Sequence, residues 1–227
     1  MSRIRDVSLL REVAVVPVER AASGARGRFR GEALALIERE HLIEPAFSYR
    51  IVDLDEPAAE VLRAGGAALY APRLLPQAGE LTALACGVAT LGPLLERRVT
   101  SLFAERCVSL ALALDEIGNQ LLLAVTRRVQ DRMLVAARKR GLTMAGELRP
   151  GDPGLALGAQ ATVLRLADAF GAGVSLTRGH ALHPLKSISM VLGVGIDLPP
   201  VRWSRCDDCP SRPSCRIAGR TAELANA

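Results

Sequence analysis

The sequence predicts an α+β domain in which helices cover one side of a mainly antiparallel sheet. Three observations predict it. Hydrophobic residues make up 49% and charged residues 23% of the 227 residues, the usage of a globular chain long enough to bury a core. Segments with the apolar spacing of helices interleave with segments that alternate as strands do. The last two strand-like segments, Val174 to Thr177 and Lys186 to Gly195, stand at hairpin-like spacing, which argues against a purely parallel sheet.

In chain order, residues 1–31 read as an N-terminal arm and loop, because Glu19 to Gly31 mixes Gly, Ser and Arg without apolar periodicity. The body then spans 32–200. Glu32 to His41 has helical spacing through Leu34 and Ile37, and Ala46 to Leu54 alternates through Phe47, Tyr49 and Ile51 as a half-buried strand. Pro57 is expected to open a short helix, since proline suits a first helical turn. Leu81 to Thr90 is an apolar strand, and Pro93 starts a helix through Phe103. Val108 to Arg140 is helical by the spacing of Ile117, Leu121, Val125, Val129 and Met133, with a bend expected at Gly118. Its basic end, Arg138-Lys139-Arg140-Gly141, suits a helix C-terminus, where cations meet the negative dipole and Gly takes the left-handed cap. A strand over Leu142 to Leu148, the turn Pro150 to Gly154 and a helix from Leu157 to Phe170 follow. Residues 201–227 form an Arg-rich, Cys-bearing tail with weak periodicity.

Composition narrows the partners. Lys and Arg outnumber Asp and Glu by 29 to 24, a net +5 that is spread over loops and not gathered in a stripe. Aromatics are 3%, too few for base-stacking platforms, so nucleic acid is not an expected partner. The longest apolar runs, such as Val108 to Leu114, fall short of the about 18 residues of a membrane span, and the N-terminus does not read as a signal peptide. The expected location is cytoplasmic, with no membrane partner. In that compartment thiols stay reduced, so clustered cysteines point to metal or redox chemistry.

Three of the five cysteines cluster as Cys206-Asp-Asp-Cys209-Pro-Ser-Arg-Pro-Ser-Cys215. A two-residue gap lets both thiolates reach one metal, and the third completes a face. A three-Cys iron–sulfur cluster fits, as does a cluster or zinc ion closed by Cys86, Cys107, His180 or His183. Three reduced, solvent-facing thiols are the plain alternative. Cys86 and Cys107 sit in apolar surroundings and read as small core residues. His180 and His183 read as loop histidines, and Asp115 as a bend or capping residue before Gly118. The Pro150 to Gly154 turn could cradle a carboxylate or ribose through backbone N–H groups.

Five further pieces, in order, carry a resemblance: Ala89-Thr-Leu-Gly-Pro93; Leu114-Asp-Glu-Ile-Gly118; Pro150-Gly151 with Gln160 nine residues on; Gly173-Val-Ser-Leu-Thr177; and Pro184-Leu-Lys-Ser-Ile-Ser189. With the Cys-rich ending, the stretch from Leu81 to Arg216 resembles the activation (reactivation) domain of cobalamin-dependent methionine synthase, in its stand-alone bacterial form. The resemblance implies the order of the sheet. It also implies a domain that binds S-adenosylmethionine and presents it to an inactive corrinoid, which is reduced and remethylated while another protein holds it.

The family's binding motif, Arg-x-Ser-Pro-Gly-Tyr, falls without gaps on Glu147-Leu-Arg-Pro-Gly-Asp152. The Arg position therefore holds Glu147 and the Tyr position Asp152. Charge at the first is reversed and the ring at the second is missing. Arg149 would replace the guanidinium, or Glu147 and Arg178 have exchanged charge as a pair. The ligand positions that the resemblance implies are Glu147, Arg149, Pro150, Gly151, Asp152, Thr177, Arg178, Pro184 and Ser187; the metal positions are Cys206, Cys209 and Cys215. No catalytic residue is assigned. No segment resembles the corrinoid-binding Asp-x-His-x-x-Gly motif, so the expected role is an accessory protein acting in trans on a corrinoid protein or methyltransferase subunit. A flavodoxin- or ferredoxin-like electron donor would accompany it. The alternatives are a docking module that has lost S-adenosylmethionine, or a small iron–sulfur electron carrier.

Overall fold

A computed structural model describes residues 2–3 and 24–199. Its centre is a five-stranded sheet in which every neighbouring pair is antiparallel, in the order β1 (Ser2–Arg3), β2 (Ala46–Asp53), β5 (Glu80–Thr90), β9 (Ser187–Ile196), β6 (Thr143–Leu148). The α+β class expected from the sequence is thus the one observed. β5 lies between β2 and β9 and is buried on both faces. Its alternation sorts two cores. Ala83, Ala85 and Ala89 face one core, whereas Leu84, Cys86 and Val88 face the other side.

The alanine face is covered by α1 (Ala25–Glu40), α2 (Leu94–Ala104) and α3 (Val108–Lys139). Small residues on β5 let α3 lie close, and larger ones on the flanking strands, Phe47, Met190, Leu192 and Val194, fill the space beside it. α3 is uninterrupted at Gly118. That glycine packs against Leu95 of α2, where a Cβ would sit 2.9 Å from the Leu95 side chain, so close approach replaces the expected bend. By length and composition α3 could cross a bilayer, a property that contiguous apolar runs understate because its polar residues are spaced around the helix. Half of its most apolar stretch is buried, and Leu114, Ile117, Leu121, Val125, Val129 and Met133 form the core.

The opposite face carries a hairpin and short helical segments. β3 (Val61–Ala64) and β4 (Ala67–Tyr70) pair around Gly65 and Gly66, with φ of +56° and +68°, the left-handed pair of a type I′ turn. The Asp55 carboxylate accepts both glycine N–H groups, at 3.1 and 3.0 Å. This hairpin stands where Pro57 suggested a helix: an Ala-Gly-Gly-Ala turn between short apolar segments outweighs one proline signal. 3₁₀ turns at Pro72–Leu74, Leu157–Ala159 and Ala169–Ala172 and the short α4 (Gln160–Leu166) complete the layer. The single helix expected over Leu157 to Phe170 is therefore broken, with Asp168 left-handed (φ +54°) at the break.

Two other expectations change. α1 begins at Ala25, inside the stretch read as a loop. Its first turns lack apolar spacing, and tertiary contacts hold them: Arg30 Nη2 donates to Gln120 Oε1 of α3 at 2.9 Å, while Ala33, Leu36 and Ile37 are buried. The strand near Val174 does not pair with β9. Instead β7 (Ser175–Leu176) pairs with β8 (Leu182–His183), a strand too short to leave a sequence pattern, around a turn in which Thr177 Oγ1 accepts the Ala181 N–H.

Candidate functional site

Register places the features of interest at one end of the sheet. Ala46 pairs with Thr90, Thr90 with Ser187, and Leu148 with Val191. The start of β2, the end of β5, the start of β9 and the end of β6 therefore share an edge, and the segments that follow or precede them gather there.

Three of the sequence motifs meet at this edge. Lys186, buried just before β9, places Nζ 2.6 Å from Asp115 Oδ1 and 2.7 Å from Asn119 Oδ1 on α3. Asp115 is thus the partner of a buried cation, not a cap. Ser187 Oγ donates to Thr90 Oγ1 at 2.8 Å, and Thr90 Oγ1 also accepts the Gly92 N–H at 3.1 Å. Leu91 N donates to the Lys186 carbonyl at 2.9 Å. Beside them Ser189 is 2% exposed, and its Oγ has no hydrogen-bond partner among the described residues. Thr90, Asn119, Lys186 and Ser189 were not among the residues the sequence singled out as ligand positions. A lysine and two serines at the head of an apolar strand were the available signal.

The turn after β6 holds the first group of sequence-predicted residues. Arg149 donates from Nε and Nη2 to Glu147 Oε1, both at 2.8 Å, and each side chain of the pair is 22% exposed. Asp152 Oδ2 accepts the Arg149 N–H at 2.8 Å. The N–H groups of Gly151, Asp152 and Leu155 bond to Leu155 O, Arg149 O and Asp152 O, at 2.9, 2.8 and 3.0 Å. Pro150 and Pro153 have no N–H to offer. The turn is thereby largely closed on itself: its own carboxylates and carbonyls occupy four of its N–H groups and two of the Arg149 guanidinium nitrogens.

The second group lies in the β7–β8 hairpin and the start of β9. Thr177 and Arg178 are exposed in the β7–β8 turn, Pro184 is buried after a cis peptide bond from His183, and Ser187 opens β9. Glu96, in the first turn of α2, accepts the Leu185 N–H and lies 3.8 Å from His183 Nδ1. Of the nine ligand positions, Ser187 pairs with Thr90 at the sheet end, Glu147 to Asp152 run from the end of β6 into the turn after it, and Thr177, Arg178 and Pro184 lie in or just after the β7–β8 turn.

The metal positions Cys206, Cys209 and Cys215 lie outside the described residues. Among the described residues no group of three His, Cys, Asp or Glu could hold a metal ion. Cys86 is fully buried on β5, and desolvation pushes its thiol up to about 12, so it is a protonated core residue. Cys107 is exposed at the N-cap of α3. His180 and His183 are exposed.

Helices on one face of an all-antiparallel sheet, a hairpin layer on the other and polar motifs at one edge define the class of fold. No protein-family model matches the chain, and no curated protein does. Among solved structures, the crystal structure of the MetH reactivation domain bound to AdoHcy matches with a TM-score of 0.60 at 14% identity, over 88% of this chain and 75% of that one. At that identity the likeness is one of fold, and the chain has the reactivation-domain fold.

Proposed function

We propose that this chain is an accessory protein of a corrinoid-dependent methyltransferase, acting in trans on a corrinoid that a partner protein holds. The fold match over 88% of the chain carries the reading. The meeting of the Ala89 to Pro93, Leu114 to Gly118 and Pro184 to Ser189 segments at one sheet end supports it, because those segments are the ones that resemble the reactivation domain.

The residues present do not fit the amino-acid end of an S-adenosyl ligand. A methionine carboxylate would meet Glu147 where the family places a guanidinium, and Arg149 is already engaged by Glu147. The N–H groups of Arg149, Gly151, Asp152 and Leu155 are bonded within the turn. Asp152 supplies a carboxylate where a ring would stack. No methyl-donating step is assigned to this turn, and its closure favours a docking role over remethylation by the chain itself.

Capture of corrinoid protein tests the reading. Tagged full-length chain is incubated with extract at low and at high ionic strength, and the eluate is scored by corrinoid absorption. With a net charge of +5, recovery is expected at low salt and should fall as salt screens the encounter with an acidic partner. No corrinoid in either eluate, from bait with a native circular dichroism spectrum, overturns the assignment and leaves a likeness of fold alone.

A further inference from the structure

The outer edge of β2 lies away from the motif-bearing segments just described. β2 pairs with β5 over eight consecutive residues without a bulge, whereas β1 covers only Ala46 and Phe47. Among the described residues, Ser48 to Val52 therefore have a strand partner on one side only, and just beyond Asp53 the edge meets β3, where Leu54 bridges to Ala64 and the Asp55 N–H donates to the Arg63 carbonyl at 2.8 Å. Such an edge offers a row of unpaired N–H and C=O groups, which proteins usually blunt with a bulge, a proline or a cover. β2 has neither bulge nor proline over this stretch.

Beside the edge, between β2 and the C-terminal half of α3, lies a cleft of about 270 Å³ lined by Tyr49, Asp131, Arg132, Val135, Ala136 and Lys139. Its floor is apolar, with Val135 51% exposed. Its rim is cationic. Arg132 stands 5.0 Å over the Phe47 ring, which stacks with Tyr49, and Lys139 lines the cleft beside it. Arg140 pairs with Asp53, and Asp131 is the carboxylate that lines the cleft with Arg132 and Lys139.

We infer that the open edge of β2 docks an acidic, extended segment of a partner protein by strand addition. Main-chain bonds to Ser48–Val52 supply the pairing, and alternate side chains of the added strand reach Arg132 and Lys139 on the cleft rim. A second copy of this chain is disfavoured as the occupant, because edge-to-edge pairing would bring the same cations together. The inference stands independently of the corrinoid reading, since none of these residues belongs to the sheet end.

Amide hydrogen exchange on the full chain tests it with two probes, a blocked Val-Glu alternating octapeptide and its Val-Lys counterpart. The outward amides among residues 48–52 should exchange quickly in the free protein and be slowed by the Glu peptide but not by the Lys peptide. Arg132→Glu with Lys139→Glu, both at exposed positions, should weaken that binding about tenfold. Three results would overturn the inference. They are amides already protected without peptide, which would mean that the chain covers its own edge; equal slowing by both peptides; and no slowing by either. Retention of full Glu-peptide affinity by the double variant would likewise remove the charge recognition on which it rests.

Discussion

Lys186 is held at the sheet end by two side chains that differ in exposure, and the difference sets what each mutation costs. Its side chain is 11% exposed, while that of Asp115 is 43% exposed. Asp115→Ala leaves an ammonium in a buried site with Asn119 as its remaining α3 partner. It is expected to cost about 1–2 kcal/mol in urea denaturation, short of the about 3–5 kcal/mol of a fully buried pair because solvent screens the carboxylate. Lys186→Met frees Asp115 to water and should cost less, and the double variant should recover most of the loss, a coupling that a double-mutant cycle reads directly. Cys86 offers a second residue-scale test, through pH. Its thiol, held up to about 12 by burial, stays protonated in the folded chain at pH values where the unfolded chain ionises near 9. The folded state then binds more protons, so stability is intact below about pH 9 and falls as pH rises towards 12, by about 1.4 kcal/mol per unit. Cys86→Ala should flatten that alkaline slope; identical slopes in the two proteins would show that the thiol does not contribute. Of these residues, the sequence marked Asp115 and Cys86, and it read Cys86 correctly as core. It could not show that Asp115 meets Lys186, because 71 positions separate two segments that only the tertiary fold joins.

Long elements with strong periodicity were legible from the chain alone: α2, α3, β2, β5 and β6 stand within a residue or two of where apolar spacing puts them. Elements that depend on tertiary contacts were not. The first turns of α1 have no apolar stripe of their own, and the Leu157 to Phe170 stretch breaks at a left-handed Asp168 that carries no glycine to announce it. β8 is two residues long, shorter than any period can reveal, whereas the strand read over Val174 to Thr177 holds β7 but not its partner. Backbone closeness in the sheet is likewise invisible in sequence and gives a test at this scale. A Cβ on Gly195 would sit 1.8 Å from the Glu80 carbonyl oxygen of the neighbouring strand, whereas one on Gly158, in a 3₁₀ turn, would meet nothing within 4 Å. Gly195→Ala should therefore cost about 3 kcal/mol or more, because backbone and not a flexible side chain must move. Gly158→Ala should stay within about 0.5 kcal/mol of wild type. Equal midpoints for the two variants in thermal unfolding would contradict the packing described for β5 and β9.

At the scale of the whole molecule, the order of the sheet brings together segments far apart in the chain, and a candidate site follows from that convergence. Segments holding Thr90, Asp115 and Ser187 meet at the sheet end, and the chemistry of the turn after β6 differs from what motif matching alone would suggest. Glu147 engages the Arg149 guanidinium, and Asp152 holds the Arg149 N–H, so the turn's own groups compete with an incoming small anion. No sequence pattern announces such closure, since it depends on which donors find partners once the turn has formed. Calorimetric titration of the full chain with S-adenosylmethionine tests the central claim, that this fold serves a corrinoid partner without taking a methyl donor at the Glu147 to Asp152 turn. The account predicts no binding heat up to about 1 mM ligand, a threshold near −4 kcal/mol. Micromolar affinity that is lost in Arg149→Ala would contradict it, by showing that the turn opens and that Arg149 leaves Glu147 to hold the ligand's carboxylate.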